Sequence, residues 1–209
     1  MKKIGILFLF FLPAIKICAA ANEVNSKYIG GGVFTSEYSV AVNAPVLRVE
    51  KTIERLIREA VEDPEAMGEW ALDGIGQSAS GKDNLILGYN NCYFNPETGQ
   101  FIAYLNIDVV GIKKMENVPF ECALDRVEPP NATANSTKLT VFYTNFILKK
   151  AWGSLSTERI DDKTCTLRLN SYVKFGWFFN IFFTTHRYKE NIDWRIKGFV
   201  QNLKEEAES

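Results

Sequence analysis

A single histidine, His186, serves the whole 209-residue chain. It cannot form a His-rich metal site, and a pair of imidazoles working as acid and base is excluded. Cysteine is scarce as well. Of the four, Cys18, Cys92, Cys122 and Cys165, no two share a CxxC spacing, so a zinc ribbon or a thioredoxin-type motif is excluded. Basic excess is also missing: 24 Lys and Arg stand against 25 Asp and Glu. No basic stripe suited to nucleic acid is present. Past residue 12 no apolar run approaches the roughly 20 residues that span a bilayer. The sequence carries no catalytic constellation, no metal-ligand set and no cofactor motif.

What is present begins with a leader. Lys2 and Lys3 precede the apolar run Ile4–Leu12, and the small residues Cys18-Ala19-Ala20-Ala21 follow. That order is the pattern of a secretory signal peptide over residues 1–21 and predicts a secreted or periplasmic protein. Cys18 is also a position where a lipid could attach, although Lys16-Ile17 depart from a lipoprotein signal. Removing Lys2, Lys3 and Lys16 with the leader leaves 21 basic residues against 25 acidic, a net charge of −4. A mature chain of about 188 residues suits one domain with a sizeable core.

Residues 22–36, with Gly30-Gly31-Gly32, read as a flexible lead-in, with order beginning near Val33-Phe34. A single domain is expected over 37–209. Tyr38–Val42 alternates as a first strand. Pro45 then opens a helix, since its missing N–H would be unpaired in a first turn. Val46, Val49, Ile53, Leu56, Ile57 and Ala60 recur at three- and four-residue spacing as one apolar stripe. Asp63-Pro64 predicts a fresh N-cap and a second, shorter helix towards Trp70. Six strands follow at even spacing: Leu85–Phe94, Phe101–Ile112, Val118–Val127, Leu139–Leu148, Trp152–Ile160 and Thr164–Phe175. The last alternates cleanly, with Cys165, Leu167, Leu169 and Val173 on one face. Tyr188, Ile192, Ile196, Phe199 and Leu203 then mark a long helix from Thr185 to Ala207.

The two ends of this order carry a resemblance. Val40-Ala41-Val42-Asn43-Ala44-Pro45 with Val49 and Trp70, and Phe199-Val200-Gln201-Asn202-Leu203-Lys204 with Glu208, resemble the opening and closing of the START-like superfamily. That superfamily includes birch-pollen-type allergens and polyketide cyclase/dehydrase relatives. The layout match runs from Tyr38 to Glu208; the motif match covers only the ends. The resemblance implies an α+β helix-grip fold: a seven-stranded curved antiparallel sheet around a long C-terminal helix, with two short helices after the first strand. The long first helix and the leader depart from the family.

The resemblance further implies a small hydrophobic ligand, lipid, sterol- or isoprenoid-like, between sheet and C-terminal helix. The expected lining is Phe120, Tyr143, Leu167, Leu169, Ile192 and Phe199, with Leu167 and Leu169 facing Ile192 and Phe199. Asp108, Trp152 and Arg168 are further candidates whose face strand parity leaves open. Two rival readings remain: a cyclase or hydrolase using a pocket acid or His186, and a ligand-free envelope interaction domain. In such a sheet the first strand lies between the second and the last. One strand would then separate Cys92 from Cys165, and Cys92 from Cys122. Two strand widths of about 4.8 Å exceed the usual disulfide span, so three free, buried thiols are expected.

Other motifs admit two readings each. Gly76–Lys82 resembles a phosphate loop, yet Asp83 stands where Ser or Thr should follow, and the segment precedes a strand instead of a helix. His186 is a general base or a surface residue near a helix start. Trp177–Phe183 is a buried join before the final helix or an exposed lip that touches membrane. Asn131 and Asn135 head two glycosylation sequons, which a eukaryotic secretory route could modify and which in a bacterial export route mean only a polar loop.

Overall fold

The computed structural model describes residues 23–78, 80–81, 83–127, 136–144 and 146–209. The leader, Cys18 and the sequon asparagines Asn131 and Asn135 lie outside the described residues, and so does the side chain of Tyr143.

The chain opens with a hairpin, β1 (Asn25–Gly30) and β2 (Val33–Val42). Residues 25–30 and 33–36 are therefore strand, not a flexible lead-in. Their turn is Gly30-Gly31-Gly32, where φ is 96°, 60° and 76°, a region most side chains avoid. Helix α1 (Val46–Glu62) follows Pro45 and turns Val49, Ile53 and Ala60 inward. Asp63 ends it and caps α2 (Pro64–Leu72), accepting a hydrogen bond from the Ala66 N–H at 3.1 Å. Then come β3 (Leu85–Asn95), β4 (Gln100–Val109), β5 (Lys113–Val127), β6 (Ser136–Tyr143), β7 (Leu148–Arg159) and β8 (Cys165–Phe175). Two helices close the chain, α3 (Trp177–Phe182) and α4 (Thr185–Glu208).

All eight strands join one antiparallel sheet in the order β1-β2-β8-β7-β6-β5-β4-β3. The expected sheet had seven strands and the expected helices numbered three. The eighth strand is the N-terminal member of the hairpin. The fourth helix arises at Gly176, whose backbone passes so close to Phe146 that a Cβ would stand 2.0 Å from its carbonyl oxygen. The chain turns there and winds α3 before α4 begins.

Two buried clusters lie between sheet and helices. One, at the α1 end, gathers Val42, Val49, Leu167, Leu169, Val200 and Leu203. The other gathers Phe34, Ile107, Phe175, Phe179 and Tyr188. The Tyr188 ring stacks on Phe34 with centroids 4.3 Å apart and planes 7° apart. Its hydroxyl meets Ser36 Oγ at 3.1 Å, Ser36 meets Ser26 at 2.7 Å, and Ser26 donates to Asp193 at 2.5 Å. This chain of bonds ties β1 and β2 to the first half of α4. The other end of α4 is tied by its glutamates. Glu208 accepts from the Asn43 N–H at 2.6 Å, and Glu206 accepts from Arg55 at 2.7 Å. Midway, buried Arg195 donates to the carbonyls of Asn191, Gly76 and Leu85, holding the connection before β3 against α4. Burial presses its pKa down to about 10.

Phe34 is the ring against which this seat is built. Phe34→Ala should cost about 3–5 kcal/mol of stability, read as a lower urea midpoint with an unchanged slope. A loss below about 1 kcal/mol, the scale of trimming a single core methylene, would show that the stack is not the anchor.

Candidate functional site

An apolar opening lies at the α1 end of the sheet. It is a cleft of about 230 Å³ between the α1–α2 pair and the strands. Its helical wall includes Leu56 and Ile57 of α1 and Met67 and Trp70 of α2. Cys92, Phe101, Ala103, Cys122 and Leu139 rise from the sheet, and Phe199 closes the inner end. Trp70 meets Phe199 edge-on at 5.8 Å. None of the α2 side chains is fully buried, so this wall lies beside solvent. Gly68 lets α2 approach β3: a Cβ there would stand 2.3 Å from the Tyr89 ring. Among the described residues, no charged side chain lines the cleft.

Of the five expected lining residues whose side chains are described, only Phe199 reaches this space. Leu167 and Leu169 do face α4, but they are packed into the core beside Val200 and Leu203. Phe120 and Ile192 pack against the Phe34 cluster, further along the sheet. Tyr143 ends β6, its side chain outside description. Arg168 points to the outer face, where it bonds Ser39 at 3.3 Å and pairs with Glu37 and Glu158. Trp152 stacks on Tyr172 at 6.0 Å with Lys138 over its ring, away from the cleft. Asp108 pairs across the strands with Lys114, towards the opposite end of β4. His186 is 81% exposed in the first turn of α4 and meets Glu190 at 3.0 Å, remote from the cleft.

The three described cysteines are free, and two of them lie in the cleft. The strand order behind their expected separation is corrected. β1 occupies the place beside β2, so β3 is the far edge, with four strands between Cys92 and Cys165. Cys92 and Cys122 are separated by β4 alone, as expected. Cys165 is buried, while Cys92 and Cys122 are half-buried because the cleft opens over them. Burial pushes the Cys122 thiol up to about 12, helped by neighbouring Cys92. Burial also raises Cys92, aided by the Glu65 carboxylate. These thiols are apolar lining, not nucleophiles.

The sequence missed the helical wall because Leu56, Ile57 and Ala60 belong to the same stripe as the core residues Val49 and Ile53. The available signal was the width of that stripe, carried on into Met67 and Trp70.

No family model matches the sequence, and no curated protein matches it. Solved structures do. A conserved protein from Geobacillus kaustophilus superposes with a TM-score of 0.50 at 11% identity, over 83% of this chain and 94% of that one. Norcoclaurine synthase from Thalictrum flavum gives 0.48 at 7% identity, over 88% and 94%. A START superfamily protein from Mycobacterium smegmatis gives 0.44 at 11%, over 83% and 94%. At these identities the likeness is one of overall fold alone.

The thiols give a direct test of the cleft. At pH near 8, Cys122 should react with iodoacetamide at least about 100-fold more slowly in the native protein than in urea, since three pKa units leave about a thousandth of the thiolate. Mass spectrometry without reductant should count a label on each of Cys92, Cys122 and Cys165 once unfolded. Equal native and unfolded rates would contradict the buried thiol. The raised pKa also has a sign for stability: its contribution is whole below about 9 and is lost as pH climbs towards 12.

Proposed function

We propose that this chain is an exported START-like domain that holds a small hydrophobic molecule in the cleft between α1, α2 and the sheet. The observation that carries the reading is the cleft itself, about 230 Å³ with no charged side chain in its described lining. That volume exceeds the ~150 Å³ of an apolar cavity that binds benzene and falls short of the ~300 Å³ at which drug-sized sites begin. A single ring, a short acyl chain or a short isoprenoid unit fits it better than a whole sterol. Catalysis has less support, since His186 sits at the other end of the molecule and the cleft lacks an acid–base pair among the described residues. A ligand-free interaction domain is disfavoured by the open volume. The leader pattern of residues 1–21 supports export to a secreted or periplasmic location.

The test is binding of a neutral apolar dye such as 1-aminoanthracene to the mature protein, read as a blue-shifted rise in emission. Leu56→Trp, which fills the cleft from a half-exposed helix position, should abolish the signal while thermal stability stays within a few degrees. No signal from the wild type, or an undiminished signal from the variant, would sink the reading.

A second contact, with a membrane surface, is favoured by α3. Phe179 is 2% exposed and anchors the helix, whereas Trp177 is 72% and Ile181 67% exposed. Val110 and Ile112 of the β4–β5 turn lie exposed beside Phe182 and Arg187, and Lys113 sits over the Phe146 ring. Aromatic and aliphatic side chains rimmed by cations suit an anionic bilayer. Sedimentation with phosphatidylglycerol-containing vesicles should carry down the wild type and leave the Trp177→Ser, Ile181→Ser double variant in solution. Equal sedimentation would remove this reading and leave the cleft untouched.

A further inference from the structure

The helical wall of the cleft is not anchored along its whole length. Ala60, near the end of α1, and Ile75, beyond α2, are both buried. Ile75 presses on α4 at Gly198, where a Cβ would stand 2.6 Å from its side chain. Its neighbour Gly76 gives its carbonyl oxygen to Arg195 at 3.0 Å. Between these two anchors no side chain from residue 61 to 74 is buried. That stretch is the whole of α2 with a joint at each end. Asp63 alone separates α2 from α1, and Gly74 follows α2 at φ 66°. A segment that buries so little surface belongs to the weakly held part of a fold.

On the sheet, α2 rests against Tyr89 of β3. A Cβ on Gly68 would stand 2.3 Å from the Tyr89 ring and 3.0 Å from its hydroxyl oxygen. That hydroxyl is buried and has no hydrogen-bond partner. Asp63, Glu65 and Glu69 act on it through space, and none of them accepts a bond from it. Docking α2 therefore takes a phenol hydroxyl out of water without replacing its bonds, which opposes the docking. Lifting α2 would return water to it. Across the cleft, Trp70 meets Phe199 by a ring edge at 5.8 Å, a contact that a small tilt of α2 breaks.

Resting on the ligand-binding reading above, we propose that α2 is a hinged lid over the cleft, and that the unbonded Tyr89 hydroxyl keeps its closed position shallow. A ligand enters and leaves while α2 is lifted on Asp63 and Gly74, and the closed wall covers it once inside. Tyr89 is a positioning residue: it sets how often the lid opens, not what the cleft holds. Removing its hydroxyl stabilises the closed form equally with and without ligand. Entry and exit then slow together, and affinity stays where it was.

The experiment compares the wild type with Tyr89→Phe by stopped-flow mixing with 1-aminoanthracene. Association and dissociation rates should both fall at least about fivefold, the scale of one unsatisfied buried group, with the equilibrium affinity unchanged within about twofold. Without dye, iodoacetamide should alkylate Cys122 of the cleft more slowly in the native variant by the same factor. Rates equal to those of the wild type in either measurement overturn the lid and leave the cleft as a static site. A change in affinity without a change in rates also overturns it, because Tyr89 would then be a ligand contact. Failure of the dye to bind either protein overturns the ligand reading, and the thiol rates still decide whether α2 lifts.

Discussion

The seating of α4 is the constraint on which the other features depend. A sheet this long has one face to bury, and a single helix must cover much of it. The first half of α4 is held by the Phe34–Tyr188 stack and by the Tyr188–Ser36–Ser26–Asp193 bonds. The second half is held by Glu206 and Glu208, which reach α1 and the end of β2. Burial raises the Asp193 pKa, and the Ser26 hydroxyl counteracts it. A buried network of this kind is stable only when each member is satisfied. The N-terminal hairpin is therefore part of the helix seat.

The cleft follows from that seat. α4 packs chiefly on β1, β2 and β8 and on α1, while α2 packs on the far-edge strand β3, and a gap is left over the strands between. α1 and α2 bridge this gap without filling it. Their side chains reach the sheet at the edges, where Gly68 admits Tyr89, and stand back from it over Cys92 and Cys122. The open volume is what remains when two short helices span a curved sheet that one long helix cannot cover alone.

Much of the fold was legible because its signals are local. The alternation of Cys165, Leu167 and Leu169 and the stripe from Tyr188 to Leu203 lie within single elements, and both are observed. The strand β1 was not legible. Asn25–Gly30 has one buried side chain that matters, Ser26, and it is polar, so no hydrophobic alternation marks it. The site was less legible than the fold. Whether a residue faces the core or a gap beside the core depends on the distance between elements, which no periodicity records. Leu167 and Phe199 carry the same pattern, yet one is sealed and the other lines the cleft. The side of the sheet taken by Trp152 and Arg168 was likewise open until their partners Tyr172 and Glu37 were known.

The antiparallel register sets the cleft and the α3 corner at opposite ends of the same strands. Phe199 lies twelve residues after Arg187 along α4, about 18 Å at 1.5 Å per residue. Packed side chains of both clusters fill the way between. A molecule leaving a bilayer at α3 would have no passage to the cleft through the interior. On the proposed reading the cleft would load where α2 lies beside solvent, so a surface attached through α3 would serve as a mooring that holds the opening outward, and not as a doorway.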